Sequence, residues 1–409
     1  MRFLFVHQNC PGQYVHYVRH LLARGGHEVF FLTAPNSNEI AGLRKVNYLP
    51  QAASTPGIHP DAVDFESAMI RARSAHDKAL QLAGMGMLPD VIIGHNGWGE
   101  MLHMRDIWPQ TPTIAYFEFF YQSRGLDVDF DPEFPMAPDK RAQVRVKNAI
   151  NLLGLEATTI GQTPTHFQRA TYPAWAQDRI EVVPEGAVLD TFRPDRAASF
   201  ALPAVRRRWR ASSGRRLLTF VARNLEPYRG FHVMLRALPA ILAATPDLDV
   251  VLVGGDGVSY GAACESGSWK AHFMAEVGPR LDLRRVFFAG HIDYGQYRQL
   301  LQVSAAHVYL TYPFVASWSL REALATGCAI IASDTDPVRE FIGHDQNGLL
   351  VPFHDTAALA GAVTRVLADA ALAARLRGAA RAFAAAHLDM AQHLAAMDGL
   401  VERVTGQRP

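Results

Sequence analysis

Short runs of β-forming residues alternate with longer segments of helical period along almost the whole chain, the pattern of a parallel sheet covered by helices on both faces. Residues 2–7 read as a buried strand, Pro11-Gly12-Gln13 as a turn, 14–24 as a helix stopped by Gly25-Gly26, and 27–33 as a second strand. That is one βαβ unit. Further strands are predicted at 90–94, 113–117, 157–160 and 180–183, with a helix over 65–83.

The rhythm breaks at 193–216, where Pro194, Pro203 and the run Arg206-Arg207-Arg208-Trp209-Arg210 interrupt it. It then restarts with strands at 217–221, 250–253, 286–289, 306–310, 329–332 and 348–351, and a helix over 230–244. The expected organisation is an N-terminal Rossmann-like domain over 1–192 and a connection over 193–216. A second Rossmann-like domain over 217–380 and a helical segment over 381–409 that packs back on the first domain complete it. Residues 356–400 are Ala-rich, but their Leu, Val and Phe recur at helical spacing, so helices are expected there.

Size and charge narrow the function. At 409 residues with 49% hydrophobic, the chain buries two cores, and disordered or fibrous classes are excluded. With 40 Lys plus Arg against 39 Asp plus Glu there is no basic field to hold nucleic acid, so any anion must be bound locally. Cys10, Cys264 and Cys328 are odd in number and far apart, which favours a reducing compartment, with a cytoplasmic location as the expectation. No apolar run is long enough for a signal segment or a membrane span. The arginine run over 206–210 suits an anionic membrane face or an acidic glycan, although a solvated linker helix is the simpler expectation.

In open α/β sheets ligands sit at the carboxyl ends of strands, where helix N-termini present N–H groups to anions. Gly12 stands at such a mouth after the first strand. After 217–221, Arg223 and Arg229 lie six residues apart at the start of a helix, a pairing suited to a diphosphate. The strand at 250–253 runs into Gly254-Gly255-Asp256-Gly257, and 306–310 into a loop and a helix that starts near Ser319, carries Glu322 and closes at Gly327. In the first half, His95 and Glu118 follow two predicted strands. Asp127-Val128-Asp129 is spelled like a metal-binding acidic pair, but its surroundings read as a surface acidic loop.

Together these motifs resemble the GT-B glycosyltransferases, specifically the retaining glycosyltransferase family 4, or group-one family. The resemblance rests on Arg223, Arg229-Gly230, Gly254 to Gly257, Glu322-Ala323, Gly327, Pro337-Val338-Arg339-Glu340, Asn347-Gly348-Leu349-Leu350-Val351 and the domain-joining Pro184-Glu185-Gly186. It is densest over 180–352. It implies two Rossmann-like domains facing across a cleft, and transfer of a sugar from a nucleotide diphosphate donor to an acceptor hydroxyl with retention, in glycan or glycoconjugate biosynthesis. Arg223 and Arg229 would then hold the diphosphate and Glu322 the ribose. His291 and Ile292 would form the nucleobase slot, and Gly12 and Gly254 would lie against the donor. Gly12, His95 and Glu118 would also line the route of a glycan, lipid-linked or small-molecule acceptor. No metal cofactor is implied.

One departure stands out: Phe314 lies eight residues before Glu322, where the family usually has the first carboxylate of a pair. Phe314 cannot accept a sugar hydroxyl. The backbone N–H groups of Ser317 and Trp318, or the hydroxyls of Ser317 and Ser319, are the expected substitutes. A second departure is Glu118, where the family often has His. A non-catalytic sugar-nucleotide binder and a GT-B epimerase or phosphorylase are the alternatives.

Overall fold

The computed structural model describes residues 1–50, 52–211 and 214–409. They form two compact units, Met1–Glu185 with Ala391–Pro409, and Gly186–Met390. In the first unit, strands β1 (Arg2–Val6), β2 (Glu28–Thr33), β3 (Arg44–Asn47), β4 (Val91–His95), β5 (Thr113–Tyr116), β6 (Ile160–Thr163) and β7 (Ile180–Val182) make one sheet in the order β3-β2-β1-β4-β5-β6-β7. Every pairing is parallel. Side chains alternate across the sheet, and both faces are buried. Phe3 and Phe5 enter one core with Tyr17 and Val18 of the helix Val15–Arg24, while Leu4 and Val6 enter another with Ala75 and Ala79 of the helix Val63–Gly84.

The C-terminal helix Met390–Thr405 contributes Met397, Leu400 and Val401 to the core that holds Phe3 and Phe5. Its buried Asp398 accepts hydrogen bonds from Arg24 Nη1 at 2.8 Å and His20 Nε2 at 3.1 Å, which ties the helix to Val15–Arg24.

In the second unit, β8 (Ser199–Leu202) and β9 (Arg207–Arg210) form an antiparallel hairpin. Strands β10 (Arg216–Asn224), β11 (Leu248–Gly255), β12 (Val286–Gly290), β13 (Ala306–Tyr309), β14 (Ile330–Ser333) and β15 (Leu349–Val351) form a parallel sheet in the order β12-β11-β10-β13-β14-β15. Near the ends of this unit, Ala187 N–H donates to Leu388 O at 2.7 Å and Met390 N–H to Ala187 O at 3.1 Å. A Cβ on Gly186 would lie 2.6 Å from Met390 Cα, so only glycine allows this close approach.

Three expectations need correction. Residues 193–216 are not a bare connection: the chain passes between units at Glu185 and Gly186, and the hairpin belongs wholly to the second unit. Ser212 and Ser213, inside that expected connection, lie outside the described residues. The arginine run is a strand and not a solvated helix, because Trp209 stacks on Phe200 at 5.9 Å and buries itself while Arg207, Arg208 and Arg210 face outward. The strand expected at 157–160 begins at Ile160, since the helix Ala149–Glu156 reaches that far and Thr159 is engaged with Thr113 through hydrogen bonds of 2.9 and 3.0 Å. Strand β3 escaped notice because Arg44-Lys45-Val46-Asn47 carries a single apolar residue, as a sheet edge permits.

Trp209 Nε1 donates to the buried Asp249 carboxylate at 2.9 Å, and Arg215 Nε donates to its other oxygen at 2.7 Å. Trp209→Ala removes a buried ring and leaves that carboxylate partly unpaired, so the second unit should lose about 3–5 kcal/mol. Urea unfolding of the variant checks this.

Candidate functional site

The sequence-predicted donor residues sit where the second unit's parallel strands end. Strand β10 closes with Arg223 and Asn224, and the chain then turns through Pro227–Arg229 into the helix Phe231–Ala244. Gly230 makes this turn with φ +69°, and a Cβ there would lie 2.4 Å from Leu310 Cβ, so the helix starts pressed against the end of β13.

That turn drives Arg229 inward until it is 6% exposed. Its Nη1 donates to Thr311 Oγ1 at 2.7 Å and to Val315 O at 3.1 Å, and the guanidinium lies 4.9 Å from the centre of the Tyr260 ring. All of these partners are neutral, and among the described residues no carboxylate pairs with Arg229. Buried charges are normally paired, so this is a site of unmatched positive charge. Arg223 differs: it is exposed, and its carbonyl lies 3.1 Å from His291 Nε2.

Glu226, fully buried, accepts the backbone N–H groups of Ser259 at 3.0 Å, Tyr260 at 3.3 Å and Gly261 at 3.1 Å. This carboxylate fixes the loop that carries Tyr260 over Arg229. Phe314 packs on Tyr260 at 5.1 Å and Tyr228 at 5.4 Å, with Tyr312 on Tyr228 at 4.7 Å. Where a carboxylate was expected from the family pattern, the site has an aromatic wall.

After β12, Ile292 turns its side chain into the core and Asp293 caps the helix Tyr294–Val303 in a capping box with Gln296. Tyr294 then donates its hydroxyl to Glu322 Oε1. Glu322, on the helix Trp318–Thr326, is 7% exposed. Burial pushes its carboxyl above the ordinary range, and the facing hydroxyls of Tyr294 and Tyr297 only partly offset that.

Two expectations about this helix start change. The Ser317 N–H already donates to Tyr309 Oη at 2.9 Å, and the Ser317 and Ser319 hydroxyls lie 2.5 Å apart, bonded to each other. These groups are committed within the protein and do not replace the missing carboxylate as they stand. Trp318, at the first helical position, is 36% exposed. Gly254 likewise answers to packing: a Cβ there would lie 2.9 Å from Leu225 Cδ2.

In the first unit, His95 ends β4 and Glu118 follows β5. His95 Nδ1 accepts the Gly97 N–H at 2.9 Å, so the neutral ring carries its proton on Nε2, which lies 3.6 Å from Glu118 Oε2. Burial alone would raise the Glu118 carboxyl; His95, with Lys147, outweighs it and holds the group below its ordinary value. His7, whose ring lies 5.4 Å from His95, is pushed down to about 3 by burial and by His95, and stays neutral. Gly12 lies against the His7 ring. Trp98, Tyr121 and Lys147 line a small pocket with His95 and Glu118. Asp129 is bound to Arg141 at 2.6 Å.

Contacts therefore join the loops after β10, β12 and β13: Arg229 to Thr311 and Val315, Arg223 to His291, Tyr294 to Glu322. Sequence reasoning missed Glu226, Tyr260, Tyr294 and Lys147. For Tyr294 a signal existed, since Asp293 followed three residues later by Gln296 marks a helix start. Glu226→Gln places an NH2 group against N–H donors. Charge-assisted bonds of this kind are worth about 1.5–3 kcal/mol, so amide exchange at 259–261 should accelerate about tenfold or more while the sheet stays protected.

Comparison with known proteins places both halves of the chain among glycosyl transferases. Residues 25–192 match the glycosyl transferase family 4 group, and residues 203–383 match the glycosyl transferases group 1. A phosphatidyl-myo-inositol mannosyltransferase of Mycolicibacterium smegmatis is 33% identical over 163 residues, 38% of this chain and 36% of that protein. A D-inositol 3-phosphate glycosyltransferase of Nocardia farcinica is 31% identical over 47% of this chain and 41% of its own length. The matches to these relatives thus span about two fifths of their length. A Mycobacterium tuberculosis glycogen synthase is 25% identical over 93% of this chain and 89% of its own. Sucrose-phosphate synthase from Thermosynechococcus elongatus superposes with a TM-score of 0.74 at 20% identity, covering 99% of both chains. Among the described residues no single helix is long and apolar enough to cross a membrane. With two parallel-sheet Rossmann-like units and both halves matched, the chain belongs to the GT-B glycosyltransferases of family 4, group 1.

Proposed function

We propose that this protein is a retaining glycosyltransferase that moves a sugar from a nucleoside diphosphate donor to an acceptor hydroxyl. The observation that carries the reading is Arg229, a buried cation whose described partners are all neutral, at the carboxyl ends of parallel strands. As the glycosidic C–O bond breaks, negative charge accumulates on the leaving diphosphate. A fixed guanidinium in a dry site stabilises that charge more than the ground state. Arg223, exposed at the end of β10, would reach the outer phosphate, and Glu322 would grip the ribose. In this reading guanidinium groups, and not a divalent ion, neutralise the diphosphate. The donor phosphate itself takes the acceptor proton as the new bond forms on the same face.

The first unit would take the acceptor. Glu118, held as an anion beside the Nε2–H of His95, is suited to orient a sugar hydroxyl, and Trp98 and Tyr121 offer aromatic faces to a sugar ring. Relatives named for mannosyl transfer to a phosphatidylinositol and for glycogen synthesis support a glycan or lipid-linked acceptor in glycoconjugate assembly. The exposed Arg207, Arg208 and Arg210 would meet an anionic membrane face carrying such a lipid. Free thiols at Cys10, Cys264 and Cys328 suit a cytoplasmic location.

Phe314 favours a second reading, a protein that binds sugar nucleotides without transfer. Incubation with a panel of nucleotide sugars and acceptors decides: release of nucleoside diphosphate with a product that keeps the donor's anomeric configuration by NMR supports transfer, and binding without release supports the second reading. Arg229→Ala should lower kcat/KM about 100- to 1,000-fold, the usual cost of removing a transition-state charge partner. Unchanged turnover would contradict the proposal. Because the Glu322 carboxyl is raised, it protonates at a higher pH than an exposed glutamate. Donor affinity should therefore fall on acidification through that raised value, and Glu322→Gln should abolish this acid limb in a titration of binding against pH.

A further inference from the structure

Resting on the nucleotide reading above, we infer that Tyr294 is a positioning residue of the ribose site, fixing the Glu322 carboxylate so that its second oxygen faces the ribose diol. Three observations carry this. Tyr294 is the first residue of a helix locked by the Asp293–Gln296 capping box, and it stands two residues after His291-Ile292, which follow β12. Its ring is braced edge-on against Phe192 at 5.3 Å and lies 5.9 Å from Tyr297, yet the residue is 55% exposed, so it spans from solvent to the buried carboxylate. Its hydroxyl closes the one hydrogen bond that the Glu322 side chain makes among the described residues, at Oε1.

A carboxylate has about four acceptor positions, so Glu322 keeps Oε2 for a ligand. Behind it stands Tyr297, 8% exposed, whose hydroxyl faces the same carboxylate and supports it less than the Tyr294 hydroxyl does. Oε2 is not sealed inside the protein, so a ligand can reach it, and a vicinal diol supplies O–H donors to it. Tyrosine suits the positioning role because two side-chain torsions fix its hydroxyl and little entropy is lost in holding it.

The test is calorimetric titration of the full chain with UDP, ADP, GDP and CDP. The nucleotide that binds is then compared with its 2′,3′-dideoxy counterpart on wild type, Tyr294→Phe and Tyr297→Phe. Tyr294→Phe should weaken binding of the ribonucleotide about tenfold, a typical effect of losing one hydrogen bond to a charged group. It should bind the dideoxy nucleotide as wild type does, within about twofold, because nothing is left for Glu322 to hold. Tyr297→Phe should weaken the ribonucleotide less than Tyr294→Phe does and leave the dideoxy nucleotide unchanged. Equal or tighter ribonucleotide binding by Tyr294→Phe would overturn the inference, as would an equal loss for the dideoxy ligand, which marks a merely structural role. If no nucleoside diphosphate binds the wild type, the nucleotide reading falls and this inference with it.

Discussion

A guanidinium buried without a counter-charge is the constraint on which the second unit is arranged. Leaving Arg229 dry and unpaired costs free energy, and the fold holds it there with two neutral acceptors and an aromatic face. Such an arrangement persists when the missing charge arrives with a ligand. The groups around Arg229 are tied to their neighbours. Gly230 lets the helix start abut Leu310, and Glu226 ties three consecutive N–H groups of the loop carrying Tyr260. A cation that stays in place needs no reorganisation when charge develops on a leaving group, which is the physical content of preorganised catalysis.

The parallel sheet supplies the geometry. Strands that all run the same way deliver their following loops to one end, so residues 28 to 86 positions apart meet. Arg229 reaches Thr311 and Val315, Arg223 reaches His291, and Tyr294 reaches Glu322. The first unit uses the same rule with different chemistry. His95 at the end of β4 and Glu118 after β5 face each other, with His7 kept neutral beside His95 by burial. One architecture thus presents a cationic site in one unit and a carboxylate–imidazole pair in the other.

Much of this was legible in the sequence, for definable reasons. Buried strands such as Phe3-Leu4-Phe5-Val6 announce themselves as continuous apolar runs, and Arg229-Gly230 and Gly327 mark helix ends that only certain residues allow. What stayed hidden depends on tertiary partners. The hairpin of β8 and β9 looked like a basic linker because its three outward arginines conceal one inward tryptophan. The Ser317 N–H looked available to the donor sugar until the Tyr309 hydroxyl was found on it. Glu226 carries no local sign of its role, and Tyr294 only the sign that a helix starts there, since a carboxylate that holds a distant loop and a hydroxyl that holds a distant carboxylate are defined only by long-range contacts. Phe314 was visible as a departure, but that it joins Tyr228 and Tyr260 in a continuous wall was not.

The most direct measurement compares the affinity of a nucleoside diphosphate with that of the bare nucleoside, in wild type and in Arg229→Met. If the unmatched guanidinium awaits the donor's diphosphate, wild type should prefer the diphosphate at least about a hundredfold, and the variant should lose most of that preference while binding the nucleoside unchanged. Equal affinity for both ligands in the wild type, or a preference that survives loss of Arg229, would contradict the claim.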